Sequence, residues 1–295
     1  MEYQEKYKSK SIWCKLNGLI IHVRHWERKN RPKLLLLHGW MDTSASFQFI
    51  VDNLSTQWDI YAMDWRGMGL SEHMSSGYYD RAVMISDLSQ LVDLISPQES
   101  IHILGHSLGG MLSSLYTGIM PGRVRSLILA EGFGVSDEPE EQSVQRMRKF
   151  LRGLSKNLRT SDVKNREHYI QKLIKANPML SYEKAFYLSY SLLKNQAGEL
   201  VLSADIKHQI SQPFPYNLNC YEKFWKKITC PILWLQGDFV AHNLVLNSIK
   251  DSLEYRYQLL GAPQKVVLEG VGHMIHWEAS EQMAYAIEKF LREII

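Results

Sequence analysis

Cysteine is scarce in this chain, and its few cysteines lie far apart. Cys14, Cys220 and Cys230 are odd in number and have no C-x-x-C spacing among the 295 residues. A disulfide framework and a cysteine metal cluster both need several closely spaced cysteines, so neither is indicated. Histidines and carboxylates also lack the spacing of metal ligands, and we therefore expect neither a metal nor a cofactor.

Long apolar runs and a strong charge of one sign are missing too. No run approaches the roughly 18 apolar residues of a membrane-spanning helix, and residues 1–6 are too polar for a secretion leader. We therefore expect a cytoplasmic protein without a membrane span. The formal net charge of +3 is too small to indicate nucleic acid binding. A small-molecule substrate is the expected partner, and the sequence leaves the oligomeric state open.

Short apolar runs alternate with segments of helical periodicity along most of the chain. A hairpin is predicted around Asn17-Gly18, because this dipeptide is a strong turn signal. Uninterrupted apolar runs are typical of strands that are buried on both faces, and they lie at 33–37, 60–63, 101–104, 127–130, 231–235 and 265–268. The alternation predicts an α/β fold with a mostly parallel, doubly wound sheet.

The alternation stops between residues 135 and 227, where the sequence becomes helical and polar. We expect a core of residues 1–134 and 228–295, with 135–227 inserted as a helical cap over the carboxyl edge of the sheet. We interpret the first cap helix as a lid with a solvated basic face, and contact with a membrane or an anionic ligand is the alternative. The apolar face of this helix is predicted at Val144, Met147, Leu151, Leu154 and Leu158.

One short motif carries the strongest chemical signal. The sequence Gly105-His106-Ser107-Leu108-Gly109 follows a predicted strand and opens into a helical segment. In that setting G-x-S-x-G places the serine on a sharp bend with its hydroxyl exposed, while the glycines allow close backbone approach. Ser107 is therefore the candidate nucleophile.

A serine hydroxyl needs a base to accept its proton, and His273 is the candidate. This histidine lies in a glycine-rich loop after the last predicted strand, at the end of the chain order serine, acid, histidine. His106 and His276 are weaker candidates, for contact with substrate only.

These motifs, with two further ones, resemble the α/β-hydrolase family over nearly the whole chain except the cap. The further landmarks are His38-Gly39-Trp40 and the stretch from Asp64 to Ser71. The resemblance implies the α/β-hydrolase fold and a serine hydrolase, with the backbone amides of Trp40 and Leu108 as the oxyanion hole. It implies structural roles for the loop at Asp64 and for Glu278.

The sequence leaves the acid of the proposed triad open. Many relatives carry the acid as the aspartate at the fourth position of a G-x-x-D motif after the seventh strand. This chain has Val240 at that position. Glu131, at the end of the sixth predicted strand, matches a second position that the family uses, and it is the preferred candidate. Its alternative role is to accept hydrogen bonds from backbone amides at the cap hinge. Asp238 is the second candidate acid, and a site without an effective acid is the third possibility.

The predicted function is hydrolysis of a small apolar ester or related carbonyl compound through an acyl-enzyme, as in carboxylesterases. Dehalogenase chemistry is excluded, because it needs an aspartate where this chain has Ser107. One alternative is a cofactor-free dioxygenase, in which His273 would deprotonate a heteroaromatic alcohol. Another is a ligand-binding protein with little turnover, which the valine at 240 suggests.

Overall fold

The computed structural model describes residues 2–156, 163–239 and 243–294. Leu158, predicted on the first cap helix, and Val240, at the position expected for the acid, therefore lie outside the described residues. Within the described part of the chain, Cys14, Cys220 and Cys230 are free thiols.

An eight-stranded sheet forms the centre of the molecule, and it confirms the predicted α/β-hydrolase fold class. Its strands follow the order β1-β2-β4-β3-β5-β6-β9-β10, and β2 is antiparallel to both neighbours while all other pairs are parallel. The strands are β1 (Lys10–Leu16), β2 (Leu19–Trp26), β3 (Lys33–Leu37), β4 (Asp59–Met63), β5 (Ile101–His106), β6 (Val124–Ala130), β9 (Ile232–Gly237) and β10 (Gln264–Leu268).

Helices flank this sheet on both sides. In β3, Leu35 and Leu37 belong to one apolar cluster, while Leu34 and Leu36 belong to the cluster on the opposite face. Both faces of the strand are therefore buried, which explains its uninterrupted apolar run. The flanking helices are α1 (Gln48–Val51), α2 (Arg81–Ile95), α3 (Leu108–Ile119), α8 (Leu244–Ile249), α9 (Leu253–Leu259), α10 (Ile275–Glu278) and α11 (Ser280–Glu293).

The segment between β6 and β9 is mostly helical, but it also contains a hairpin. Its elements are α4 (Ser143–Ser155), α5 (Arg166–Ala176), α6 (Tyr182–Leu192), β7 (Leu193–Gln196), β8 (Glu199–Leu202) and α7 (Leu218–Trp225). The two strands β7 and β8 were not predicted within this helical insertion. Ala197 and Gly198 join these strands with φ values of 53° and 90°, as a two-residue hairpin turn requires. Across the described ranges, no helix combines the length and apolarity needed to cross a membrane.

Helix α4 does not bury its apolar face. Val144, Leu151 and Leu154 are 62%, 55% and 43% exposed, which is contrary to the packing expected of an apolar helix face. Phe150 is instead the buried residue of this helix, and its ring lies 4.8 Å from that of Tyr78. The helix therefore contacts the protein through a face that the apolar pattern did not mark.

Candidate active site

Ser107 occupies the sharp turn between β5 and α3. Its φ of 50° and ψ of −114° are rare for a residue with a side chain. Such a conformation persists only where the surroundings enforce it. Here the packing is close, because a Cβ on Gly109 would lie 2.1 Å from the carbonyl oxygen of Leu37. Glycine is therefore required beside the serine, as the motif predicted.

His273 lies on the loop after β10 and faces this serine. The distance from its Nε2 to the Ser107 Oγ is 2.9 Å, a hydrogen-bond distance. Two contacts hold the loop: Glu278 Oε2 accepts a hydrogen bond from the Gly272 amide (3.1 Å), and the His106 ring donates from Nε2 to the His273 carbonyl (2.9 Å). The structure thus brings the two predicted residues together, and the residue preceding the nucleophile helps to position the histidine loop.

Glu131 follows β6 directly and lies on the other side of the same imidazole. Its Oε2 is 3.5 Å from the His273 Nδ1, and its side chain is buried. The other oxygen, Oε1, accepts a hydrogen bond from the Gly237 amide at 2.7 Å. This carboxylate therefore has both of the contacts considered from the sequence, one with the histidine and one with a backbone amide.

Asp238, the second candidate acid, is exposed and faces elsewhere. Its Oδ1 accepts a hydrogen bond from the Gly270 amide at 2.6 Å, which ties the end of β9 to the loop after β10. The structure brings Glu131, and not Asp238, to His273.

Asn243 is a site residue that the sequence reasoning missed. It is fully buried, and its Nδ2 donates to Glu131 Oε2 at 2.7 Å. Its Oδ1 accepts from the Leu246 amide at 2.9 Å, so the same side chain caps α8. An asparagine before a helical segment is a capping signal, but the contact with Glu131 crosses the fold and leaves no local sequence pattern.

Trp40 and Leu108, whose amides are expected to form the oxyanion hole, both line the cavity that contains Ser107. Leu108 is the first residue of α3, and the first amides of a helix have no partner within the helix. Trp40 follows Gly39, on which a Cβ would lie 3.2 Å from the Ser107 Cβ. The Trp40 indole donates to the His208 carbonyl at 3.2 Å and so contacts the segment between β6 and β9.

A second histidine–carboxylate pair lies beside the first, fully buried. His276 Nε2 lies 3.0 Å from Asp42 Oδ2, and the His276 ring packs 4.2 Å from that of His106. Burial raises the pKa of Asp42 to about 6 and lowers the pKa of both histidines well below the usual range. The two rings are therefore neutral at neutral pH.

These three residues are also the nearest approach to a metal site in the described part of the chain. Their potential ligand atoms all lie within 4.8 Å of one another. The Nε2 atoms already serve Asp42 and the His273 carbonyl. The arrangement fits a hydrogen-bonded network better than a metal centre.

The loop at Asp64 is held as the resemblance implied. The Asp64 carboxylate accepts hydrogen bonds from the amides of Ser44 and Leu70 at 2.6 and 3.0 Å and contacts His22 Nδ1 at 2.8 Å. These contacts occupy the carboxylate within the loop, and they leave it no part in the chemistry at Ser107.

A cavity of about 630 Å³ opens above Ser107 and His273. Its lining is mostly apolar and comes from both the sheet edge and the segment between β6 and β9, including Met84, Met111, Ile210, Phe214 and Tyr216. A cavity of this size and character suits a small organic molecule.

Comparison with known proteins identifies the family to which this fold belongs. The α/β hydrolase fold family matches residues 32–280. The human protein "Serine hydrolase-like protein 2" is 25% identical over 92% of this chain and 90% of its own length. The zebrafish "Serine hydrolase-like protein" is 26% identical over 70% of this chain, and the match covers 64% of the zebrafish protein.

Solved structures give the same fold. The thioesterase domain from the curacin biosynthetic pathway matches with a TM-score of 0.83 and 20% identity, over 96% of this chain and 99% of that domain. The hydrolase of E-2-(acetamidomethylene)succinate matches with a TM-score of 0.75 and 20% identity, over 97% of this chain and all of that one. The chain belongs to the α/β-hydrolase family, and within it the chain is similar to proteins named as serine hydrolase-like.

Proposed function

We propose that this protein is a serine hydrolase that cleaves a small, largely apolar carboxylic ester or thioester through an acyl-enzyme. The observation that carries the proposal is the 2.9 Å contact between His273 Nε2 and the Ser107 hydroxyl. Ser107 has a strained backbone conformation and lies at the floor of a mostly apolar cavity. Names of relatives agree with ester chemistry: a Candida albicans protein 22% identical over 92% of this chain is a protein phosphatase methylesterase.

In the proposed reaction, Ser107 Oγ attacks the carbonyl carbon while His273 Nε2 accepts the hydroxyl proton. The tetrahedral intermediate carries a negative oxygen, which the amides of Trp40 and Leu108 stabilise. The C–O or C–S bond breaks, and His273 returns its proton to the leaving alcohol or thiol. Water, deprotonated by the same histidine, then attacks the acyl-serine and releases the acid.

Glu131 acts through His273 in this proposal. Its carboxylate faces Nδ1 and so favours the tautomer in which Nε2 is free to accept the serine proton. It also stabilises the imidazolium that forms when the proton has moved. The distance of 3.5 Å is long for a hydrogen bond, and contacts of this kind often tighten only when substrate is bound.

We also propose that residues 135–227 act as a cap on a core formed by residues 1–134 and 228–295. Supporting this division, the segment between β6 and β9 supplies Ile210, Phe214 and Tyr216 to the cavity, while Ser107 and His273 come from the sheet edge. The cap therefore selects the substrate, and the core carries out the reaction.

Labelling with a fluorophosphonate probe tests the proposal. We expect the wild-type protein to be labelled and to hydrolyse short acyl esters, and Ser107→Ala to lose both properties. Ser155→Ala removes an exposed serine of α4 and should behave as wild type. An unlabelled wild-type protein without ester turnover would contradict the proposal. Oxygen consumption with a 3-hydroxy-4-quinolone would instead favour the dioxygenase alternative.

A further inference from the structure

Two arginines line the mostly apolar cavity above Ser107. Arg81 is the first residue of α2, and Arg146 lies on α4. Placing a guanidinium against apolar walls is costly unless a negative or polar group accompanies it. The partners of these two side chains therefore indicate what the cavity is built to hold.

Among the described residues, Arg146 has a carboxylate partner and Arg81 has none. Arg146 forms an ion pair with Glu138, in which Nε donates to Oε2 at 2.6 Å and Nη2 contacts Oε1. Arg81 lies near the Tyr221 hydroxyl, a neutral group, and within the described part of the chain no ion pair joins Arg81 to a carboxylate. The sole carboxylate among the described residues of the cavity wall is Glu131, which is already occupied by Gly237, Asn243 and His273.

The two arginines also repel each other. Burial lowers the pKa of Arg146, and the positive charge of Arg81 lowers it further. An anion placed between them would relieve this repulsion, and a carboxylate matches the forked geometry of guanidinium groups.

A third arginine adds to the positive potential of this wall. Arg256 is buried, and it donates to the carbonyls of Phe133 and Val135 and to the Tyr216 hydroxyl at 2.9, 2.9 and 3.2 Å. All of these partners are uncharged, and Val135 and Tyr216 themselves line the cavity. Arg256 is therefore a positive charge behind the cavity wall, and among the described residues no ion pair joins it to a carboxylate.

We propose that the substrate carries a carboxylate, separated from the ester by an apolar chain, and that Arg81 and Arg146 bind this carboxylate. The substrate class is thus an ester with a free carboxylate at its far end, such as a monoester of a dicarboxylic acid. This proposal rests on the proposed hydrolase function for its kinetic test, and a binding test separates the two.

The kinetic test compares charged and neutral esters of similar size. Monoethyl adipate carries the carboxylate on the acyl side, and an acetoxyalkanoate carries it on the alcohol side; ethyl hexanoate is the neutral reference. We expect wild type to prefer at least one charged ester in kcat/KM. This preference should fall about tenfold in Arg81→Gln and in Arg146→Gln, because each variant removes a charge-assisted hydrogen bond.

Arg148→Gln is the matched control, because it removes the same charge from an exposed position on α4 outside the cavity. It should keep the wild-type preference. The carboxylate subsite would be overturned if wild type hydrolysed the neutral ester with the same kcat/KM as both charged esters. It would also be overturned if Arg81→Gln, Arg146→Gln and Arg148→Gln all kept the wild-type preference. Either result would leave the hydrolase function intact.

Calorimetric binding to Ser107→Ala tests the subsite without turnover. We expect monoethyl adipate or the acetoxyalkanoate to bind more tightly than ethyl hexanoate, and Arg81→Gln in the same background to weaken that binding about tenfold. Equal affinity for the charged and neutral esters would overturn the proposal even if the protein proved to hydrolyse no ester.

Discussion

Two histidine–carboxylate pairs lie side by side in this protein, and one of them reaches a nucleophile. His273 lies between Glu131 at 3.5 Å and the Ser107 hydroxyl at 2.9 Å. His276, on the same stretch of chain, lies 3.0 Å from Asp42, and its Nδ1 has no hydrogen-bond partner among the described residues. The shorter contact with a carboxylate belongs to the pair that does not touch the serine.

The difference between the pairs shows that a close carboxylate does not identify a catalytic histidine. His273 is half-buried and lines the cavity, so a substrate can reach it. His276 is fully buried, and burial keeps it neutral. Position at the carboxyl edge of the sheet, beside the sharp turn at Ser107, is what separates a proposed base from a structural residue.

The largest expected effect follows from replacing the proposed acid. Glu131→Gln removes the negative charge that orients His273, and it places an amide NH₂ against donors from Gly237 and Asn243. We expect kcat for a short acyl ester to fall on the order of 10⁴-fold, as when the acid of a triad is removed. Steady-state kinetics with circular dichroism as a folding check measures this effect.

Asp238→Asn is the matched control for that variant. Asp238 is exposed, and its oxygen accepts a hydrogen bond from Gly270 rather than His273. We expect kcat within about threefold of wild type, as for most surface substitutions. A large loss of kcat in Asp238→Asn, together with little loss in Glu131→Gln, would show that Asp238 is the acid and that Glu131 is not.

Asn243 supplies the next prediction, because it supports Glu131 without touching Ser107. Asn243→Ala should lower kcat about tenfold, since a hydrogen bond to a charged group is worth roughly 1.5–3 kcal/mol. It should also lower the free energy of unfolding by about 1 kcal/mol, because the cap of α8 is lost.

Asn243→Ser separates these two effects, since serine can still cap α8 but is too short to replace the amide contact. We expect it to keep the stability of wild type and to lose the same activity as Asn243→Ala. Full activity in Asn243→Ser would mean that the contact with Glu131 has no part in catalysis.

Replacing His276, the histidine of the second pair, is expected to lower stability and to change activity little. His276→Leu removes the donor to Asp42 Oδ2 in a fully buried setting, and we expect it to lower the free energy of unfolding by about 1–3 kcal/mol. Because His276 does not contact Ser107, kcat should stay within about threefold of wild type. Urea denaturation and ester kinetics measure the two quantities. A loss of kcat as large as that of Glu131→Gln would remove the distinction between the pairs.

The sequence predicted the parts of this molecule that local patterns encode. The apolar runs of β3 and β5 follow from burial on both faces, and the turn at Ser107 follows from the glycines around it. Glu131 is the preferred acid because its place at the end of the sixth strand matches a position that the resemblance to the α/β-hydrolase family implies. The parallel pairing of β5 and β6 brings the ends of these two strands to the same edge of the sheet.

Contacts between distant segments could not be predicted in this way. Asn243 reaches Glu131, and His106 reaches the His273 carbonyl, across the assembled sheet. The hairpin of β7 and β8 was missed because its turn is Ala197-Gly198, a weaker signal than Asn-Gly. The exposed apolar face of α4 was missed because helical periodicity indicates a stripe and does not say what covers it.

Another buried histidine, without a carboxylate partner among the described residues, gives the smallest expected effect and a reference for His276. His102 on β5 hydrogen-bonds Ser126 at 2.8 Å, and burial, aided by the charge of Arg125, lowers its pKa to about 4. Since its pKa is lower in the folded than in the unfolded state, its contribution to stability is present above about pH 6.5 and is lost as the pH falls towards about 4.

Urea denaturation at two pH values measures this contribution. Between pH of about 7 and about 5.5, the free energy of unfolding of wild type should fall by about 1 kcal/mol through this group, and the fall in His102→Asn should be smaller by that amount. Equal losses in the two proteins would mean that His102 is charged or solvated when folded, and they would weaken the inference that burial keeps His276 neutral.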